Sequence, residues 1–176
     1  MALFKLCDSI PDEERSIKFL QEHDLLPSTK ICSNGHGMKM VVGKQIRWRC
    51  YVKECRKDVG IRVGTWFEGF KLPFRTAILF FYCWSRGLTS IEFCKHELEM
   101  NHNTTVDWCN YLREVCLFKE KGHRIKIDGK DVTEDAGETR SMMKEIESEW
   151  RRKNKNNAFE ALLSDIKLFH CRNSKI

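Results

Sequence analysis

The chain has 176 residues, 41% hydrophobic and 32% charged, with a formal net charge of +6, a mean hydropathy of −0.49 and nine cysteines. This suits one globular domain or two small ones. The longest apolar run, Ala77 to Trp84, is far short of the roughly 20 residues that span a bilayer. An odd cysteine count argues against a fully paired disulfide framework, and the N-terminus, MALFKLCDSIPDEERS, lacks the pattern of a secretory signal. The expectation is a soluble intracellular protein whose reduced thiols are available to a metal.

The first predicted element is a helix over about residues 10–23. Ser9 can cap it, Pro11 is tolerated in its first turn, and Asp12, Glu13 and Glu14 complement the helix dipole. Ile10, Ile17, Phe19 and Leu20 form a sparse apolar stripe, and Leu25-Leu26-Pro27 ends the segment. Its role is packing.

Next comes CSNGHGMKMVVGKQIRWRCYVKEC, from Cys32 to Cys55, which starts with a Cys and a His four positions apart and ends with two cysteines five apart. Two such knuckles meeting at one ion make a zinc ribbon, with Cys32, His36, Cys50 and Cys55 as a three-sulfur, one-nitrogen set of the kind structural zinc prefers. The plain alternative is four ordinary buried side chains. Short strands are predicted at about 39–42, 46–49 and 59–62, with Gly43-Lys44 as a hairpin turn. So few apolar residues cannot form a core alone, so the metal should supply much of the folding free energy and its removal should disorder the segment. Between Lys39 and Arg75 ten basic residues face only three acids. A polyanion is the natural partner of that excess.

In GTWFEGFKLPF, glycines permit a turn and the aromatics pack the ribbon onto the segment after it. Pro73 opens a helix running to about Arg86, with Gly87 as its stop, and FRTAILFFYCWSR is apolar on nearly every side, as a central helix should be. Thr89-Ser90-Ile91-Glu92 reads as a capping box for a second helix to about Leu98. A third helix, TTVDWCNYLREVCLFKE, comes after a polar break and is capped by Asn103 or Thr104. This series is a helix-turn-helix candidate, with Asn101, His102, Asn103, Thr104 and Thr105 as short hydrogen-bonding groups able to approach phosphates or base edges. A three-helix packing unit with a capped turn fits the same pattern.

The tail has acids at Asp131, Glu134 and Asp135 in a polar, turn-like stretch, where solvated loop charge is the simplest reading. Beyond it lie two helices, over about 138–153 and 158–170. Met142, Met143, Ile146 and Trp150 lie on one side of the first, and Phe159, Leu162, Leu163, Ile166 and Phe169 on one side of the second. They can pack onto the preceding helices or pair with a partner helix or a second copy. The tail can also be a foreign, partly disordered appendage. The fold expected is mainly α with a small β zinc ribbon, in segments 1–30, 31–70, 71–120 and 121–176.

From about Ile10 to Asp128 the chain resembles the N-terminal region of Merlin-superfamily DNA transposases and their bacterial insertion-sequence relatives. The resemblance rests on IRWRC (46–50), Cys55-Arg56, GTWFEG (64–69), KLPF (71–74), YCWSRGLTS (82–90), NTTVDWCNYLREVC (103–116) and IKID (125–128). It implies a zinc ribbon and a helix-turn-helix ahead of a ribonuclease-H-like catalytic domain. Cys32, Cys50 and Cys55 fall at ribbon-ligand positions, and His36 stands where a second ligand is expected, after a longer spacer. Asp128 matches the first metal-binding acid, but Gly129-Lys130 stands where the family has Glu-Ser. Two-metal phosphoryl transfer needs several converging acids on a rigid sheet, whereas only 48 residues come after Asp128 and they read as helical.

The resemblance therefore implies a transposase-derived, non-catalytic binder of double-stranded DNA, nuclear in a eukaryote. Arg47, Arg49, Arg56, Lys57 and Arg62 would meet phosphates, and the third helix would supply base contacts. Two alternatives stand beside it. One is a fragment that completes a transposase active site with another chain; the other is a zinc-stabilised protein-interaction module.

Overall fold

The computed structural model describes residues 2–43, 45–121 and 136–173. It divides into two compact units, Ala2–Arg75 and Thr76–Ile176.

The first unit opens with two helices, α1 (Leu3–Ser9) and α2 (Glu13–Glu22), where one was expected. Ser9 does not cap α2. It ends α1, with its hydroxyl donating to the Leu6 carbonyl at 2.7 Å. The cap of α2 is Asp12, whose carboxylate accepts from the Arg15 backbone N–H at 2.8 Å. Three consecutive acids leave the cap ambiguous in sequence, and the break at Ile10-Pro11 moves it past the proline. Leu6, Ile10, Ile17 and Leu20 are fully buried.

A four-stranded antiparallel sheet comes next in simple order: β1 (Lys30–Ile31), β2 (Gly37–Val41), β3 (Arg47–Arg49) and β4 (Asp58–Gly60). The three predicted strands are present, shifted by one or two residues, and β1 is additional. The β2–β3 connection occupies residues 42–46, so it is longer than a two-residue turn at Gly43-Lys44; Lys44 itself lies outside the described residues. Alternation along the strands sorts the side chains. Trp48 pairs with Met40 and Val59, and with Met38 it joins Cys32 and Cys50 in a small buried cluster. Arg47 and Arg49 flank Trp48 in the strand and so take the other face, where Lys39, Arg49 and Asp58 align across three strands.

Helix α3 (Phe74–Ser85) begins in this unit. Its first free N–H groups, those of Phe74 and Arg75, donate to the two oxygens of Glu13 at 2.8 and 3.1 Å. The helix stops as predicted at Gly87, with φ of 74°. The Leu88 N–H reaches the Cys83 carbonyl at 2.9 Å, and the Gly87 N–H reaches that of Trp84 at 3.0 Å, closing the orphan carbonyls in a Schellman motif.

In the second unit the remainder of α3 is joined by α4 (Ile91–Glu97), α5 (His102–Lys121), α6 (Ala136–Lys153) and α7 (Ala158–Asn173). Residues 77–84 of α3 are all at most 7% exposed, the all-round burial that its composition predicts. Ser90 rather than Thr89 caps α4, accepting from the Phe93 N–H at 3.1 Å, so Glu92 sits one position too early to close a capping box. Asn101 caps α5, accepting from the Thr104 N–H at 2.8 Å, so the helix starts earlier than the expected Asn103 or Thr104 cap.

The tail belongs to this core. Helices α6 and α7 both pack on α5, and Trp150, Phe159, Leu162, Leu163 and Ile166 are buried. Ring pairs Trp84–Trp150, Tyr82–Phe159 and Phe118–Phe169, with centroids 5.2–5.7 Å apart, tie the two helices to α3 and α5. Packing onto the preceding helices, one of the readings open from sequence, is present in the structure. Asp128, Asp131, Glu134 and Asp135 lie outside the described residues. Among the described residues no helix is long and apolar enough to cross a membrane.

Candidate metal centre and basic surface

The β1–β2 turn delivers the first knuckle. The Cys32 N–H donates to the His36 carbonyl at 2.9 Å and the Gly35 N–H to the Cys32 carbonyl at 2.9 Å, with Gly35 at φ of 79°. A side chain at Gly35 would be strained in that left-handed conformation. The second knuckle leaves the end of β3: Cys55 and Arg56 both donate to the Val52 carbonyl at 3.0 Å, and Arg56 takes φ of 43°.

These two turns bring Cys32, His36, Cys50 and Cys55 together, with all four ligand atoms within 4.8 Å of one another. The Cys32 and Cys55 sulfurs are 3.6 Å apart, and His36 Nδ1 lies 3.6 Å from the Cys32 sulfur and 3.7 Å from that of Cys50. A disulfide requires sulfurs about 2.05 Å apart, so the cysteines here are free thiols. A tetrahedral ion with bonds of about 2.3 Å to sulfur and about 2.0 Å to nitrogen would place its ligands about 3.5–3.8 Å from one another. The three short separations match such edges and all four atoms lie within 4.8 Å, so the cluster could hold a metal ion such as zinc. With four protein donors it would be a closed site, with no open position for a reacting water.

Electrostatics favour an anionic sulfur in the first knuckle. Burial raises the Cys32 thiol, but the backbone N–H groups of Asn34 and His36, with the Cys55 and Cys50 thiols, outweigh it and bring it down to about 6. Cys50 moves the other way, raised by burial and by the neighbouring sulfurs against the Val52 N–H. Outside the four ligands, the Asn34 amide donates to the Cys55 sulfur at 3.5 Å. Lys57 donates to Ser33 Oγ and, at 3.4 Å, to Asn34 Oδ1. One knuckle thereby braces the other, as groups around metal ligands commonly do.

The remaining sequence-predicted residues divide. Arg47 and Arg49 lie on the sheet face opposite Trp48 and share Asp58, at 3.5 and 3.7 Å. Arg56 is exposed, and Lys57 is exposed while bracing the first knuckle. Arg62 is half-buried: its guanidinium donates to the Leu72 carbonyl at 2.7 Å and lies 3.9 Å over the Phe74 ring. In the second unit Asn101, His102 and Asn103 are exposed at the start of α5 and Thr104 is half-buried. Thr105 is fully buried and its hydroxyl donates to the Asn101 carbonyl at 3.0 Å, which withdraws it from any ligand. Sequence reasoning missed Asn34 and the bracing by Lys57. It also missed the carboxylate Glu147, gripped by Arg113 and Arg151, each at 2.5 Å. Asn34 and Lys57 act from short polar stretches and Arg113 lies 34 residues from Glu147, where spacing carries no signal, whereas Glu147 and Arg151 are an i,i+4 pair on α6.

Compared with protein-family models, with curated protein sequences and with solved structures, the chain has no match in any of the three.

Proposed function

We propose that this chain is a transposase-derived DNA-binding protein in which a structural zinc ion organises a basic ribbon, and in which α4, the turn after it and α5 act as a helix-turn-helix. The observation that carries the reading is the Cys32–His36–Cys50–Cys55 cluster, its ligand atoms within 4.8 Å of one another, on a sheet whose other face aligns Lys39, Arg47 and Arg49. A closed metal site stabilises without reacting, so the ribbon's chemistry resides in its charge. Arg47, Arg49, Arg56 and Lys57 serve as phosphate contacts, and Asn101, His102 and Asn103 are the exposed groups at the start of α5 that approach base edges. Helices α6 and α7 complete the core of the second unit and so support α5 in presenting its N-terminal end.

The test combines zinc content with a mobility shift on duplex DNA titrated in salt, comparing the native chain with Cys50→Ser. One zinc per chain is expected, with affinity falling steeply in salt at a slope of about −0.9 per phosphate neutralised. Cys50→Ser should lose both zinc and binding. Salt-independent binding, or equal folding and binding without zinc, sinks the proposal.

A further inference from the structure

The second knuckle carries a side chain that neither the metal nor the core uses. Tyr51, directly after Cys50, is 62% exposed. It sits on a short segment pinned by a cluster cysteine at each end, with the Cys55 and Arg56 N–H groups both closing on the Val52 carbonyl. The Arg49 guanidinium lies 5.8 Å from the centre of its ring, and Asp58 holds Arg49 from the other side at 3.7 Å. Lys53 and Arg56 are exposed on the same segment, and Glu54 is the one acid from Cys50 to Lys57.

A solvent-facing aromatic ring on a basic segment is the arrangement that receives a stacked base while its phosphates are neutralised. Inside a duplex both faces of a base are covered by its neighbours, so such a ring can stack only on a base that is unpaired or at an end. We propose that Tyr51 is a stacking platform for an unpaired base of single-stranded DNA, with Arg49, Lys53 and Arg56 taking the adjoining phosphates. The inference rests on the DNA-binding reading above and extends it, giving the ribbon a preference for single strand next to duplex.

The experiment measures fluorescence anisotropy of the full, zinc-loaded chain with a labelled blunt duplex and with the same duplex bearing a thymidine overhang of about ten nucleotides, long enough for one binding face. Native protein, Tyr51→Ala and Tyr51→Phe are compared, with zinc content as the check that each variant is folded. The expected result is tighter binding of the overhang by native protein. Tyr51→Ala should lose at least about fivefold on the overhang and leave the blunt duplex unchanged, while Tyr51→Phe, which keeps the ring, should retain the preference. Equal affinity of native protein for both DNAs overturns the platform but leaves duplex binding standing. So does a Tyr51→Ala variant that weakens both DNAs alike or neither. Absence of binding to either DNA overturns this inference and the DNA-binding reading together.

Discussion

Glu147 has 10% of its side chain exposed, and its burial is tolerable because a guanidinium approaches each of its oxygens, Arg113 from α5 and Arg151 from one turn along α6. Arg151 also donates to the Trp84 carbonyl at 3.0 and 2.7 Å and lies 4.8 Å over the Trp84 ring, so one carboxylate links three helices. Removing it would leave two facing arginines without a counter-charge. Glu147→Ala should lower unfolding free energy by about 3 kcal/mol in urea denaturation. A second residue-level expectation concerns Cys94, fully buried in α4. Burial, aided by nearby Cys109 and opposed by the Thr105 hydroxyl, raises its thiol from 9.0 to about 11. The thiolate is the reactive form, so Cys94 should resist iodoacetamide in native protein at pH 8, whereas exposed Cys171 reacts. An unfolded chain ionises this thiol near 9.0 while the folded one holds the proton to about 11. Its contribution to stability is therefore complete below the lower value and lost as pH rises through the higher one.

At the scale of elements, the start of α5 shows how sequence reasoning succeeds and where it stops. The stretch from Asn101 to Thr105 offers four side chains competent to cap, and local spacing does not choose among them. Burial chooses: with Thr105 inside the core and bonded to the Asn101 carbonyl, the helix must start earlier and Asn101 becomes the cap. Asn101→Ala should cost about 1 kcal/mol in thermal or urea unfolding, and Asn103→Ala distinctly less, since its side chain is not the cap. A larger loss at Asn103 would contradict the assignment. The same limit explains α1 and α2, where three acids come after Pro11, and β1, whose two residues carry no periodicity. Helices α6 and α7 were legible from their apolar spacing alone. Their destination was not, because Trp84, Trp150, Tyr82 and Phe159 are equally apolar whether the partner is this chain or another.

For the whole molecule, the four-stranded sheet and the helical Thr76–Ile176 unit differ in how much apolar surface they bury. The four clustered side chains were legible as two knuckles, and the β1–β2 turn and the end of β3 bring them together. Around them the sheet buries little more than Met38, Trp48 and the cysteines, so a bound metal, worth about 10–16 kcal/mol in isolated zinc modules, would supply much of its stability. The Thr76–Ile176 unit instead buries most of α3 together with Leu112, Trp150, Leu162 and Ile166, none of them tied to a metal. Chelation should therefore divide the molecule. Hydrogen exchange with and without a strong zinc chelator should show amides of β2, β3 and β4 losing protection, with those of α3, α5 and α7 largely keeping it. Circular dichroism should retain most of its helical signal. Uniform loss of protection would mean that the helical unit depends on the ribbon, and unchanged protection in β2 and β3 would mean that the sheet folds without its metal.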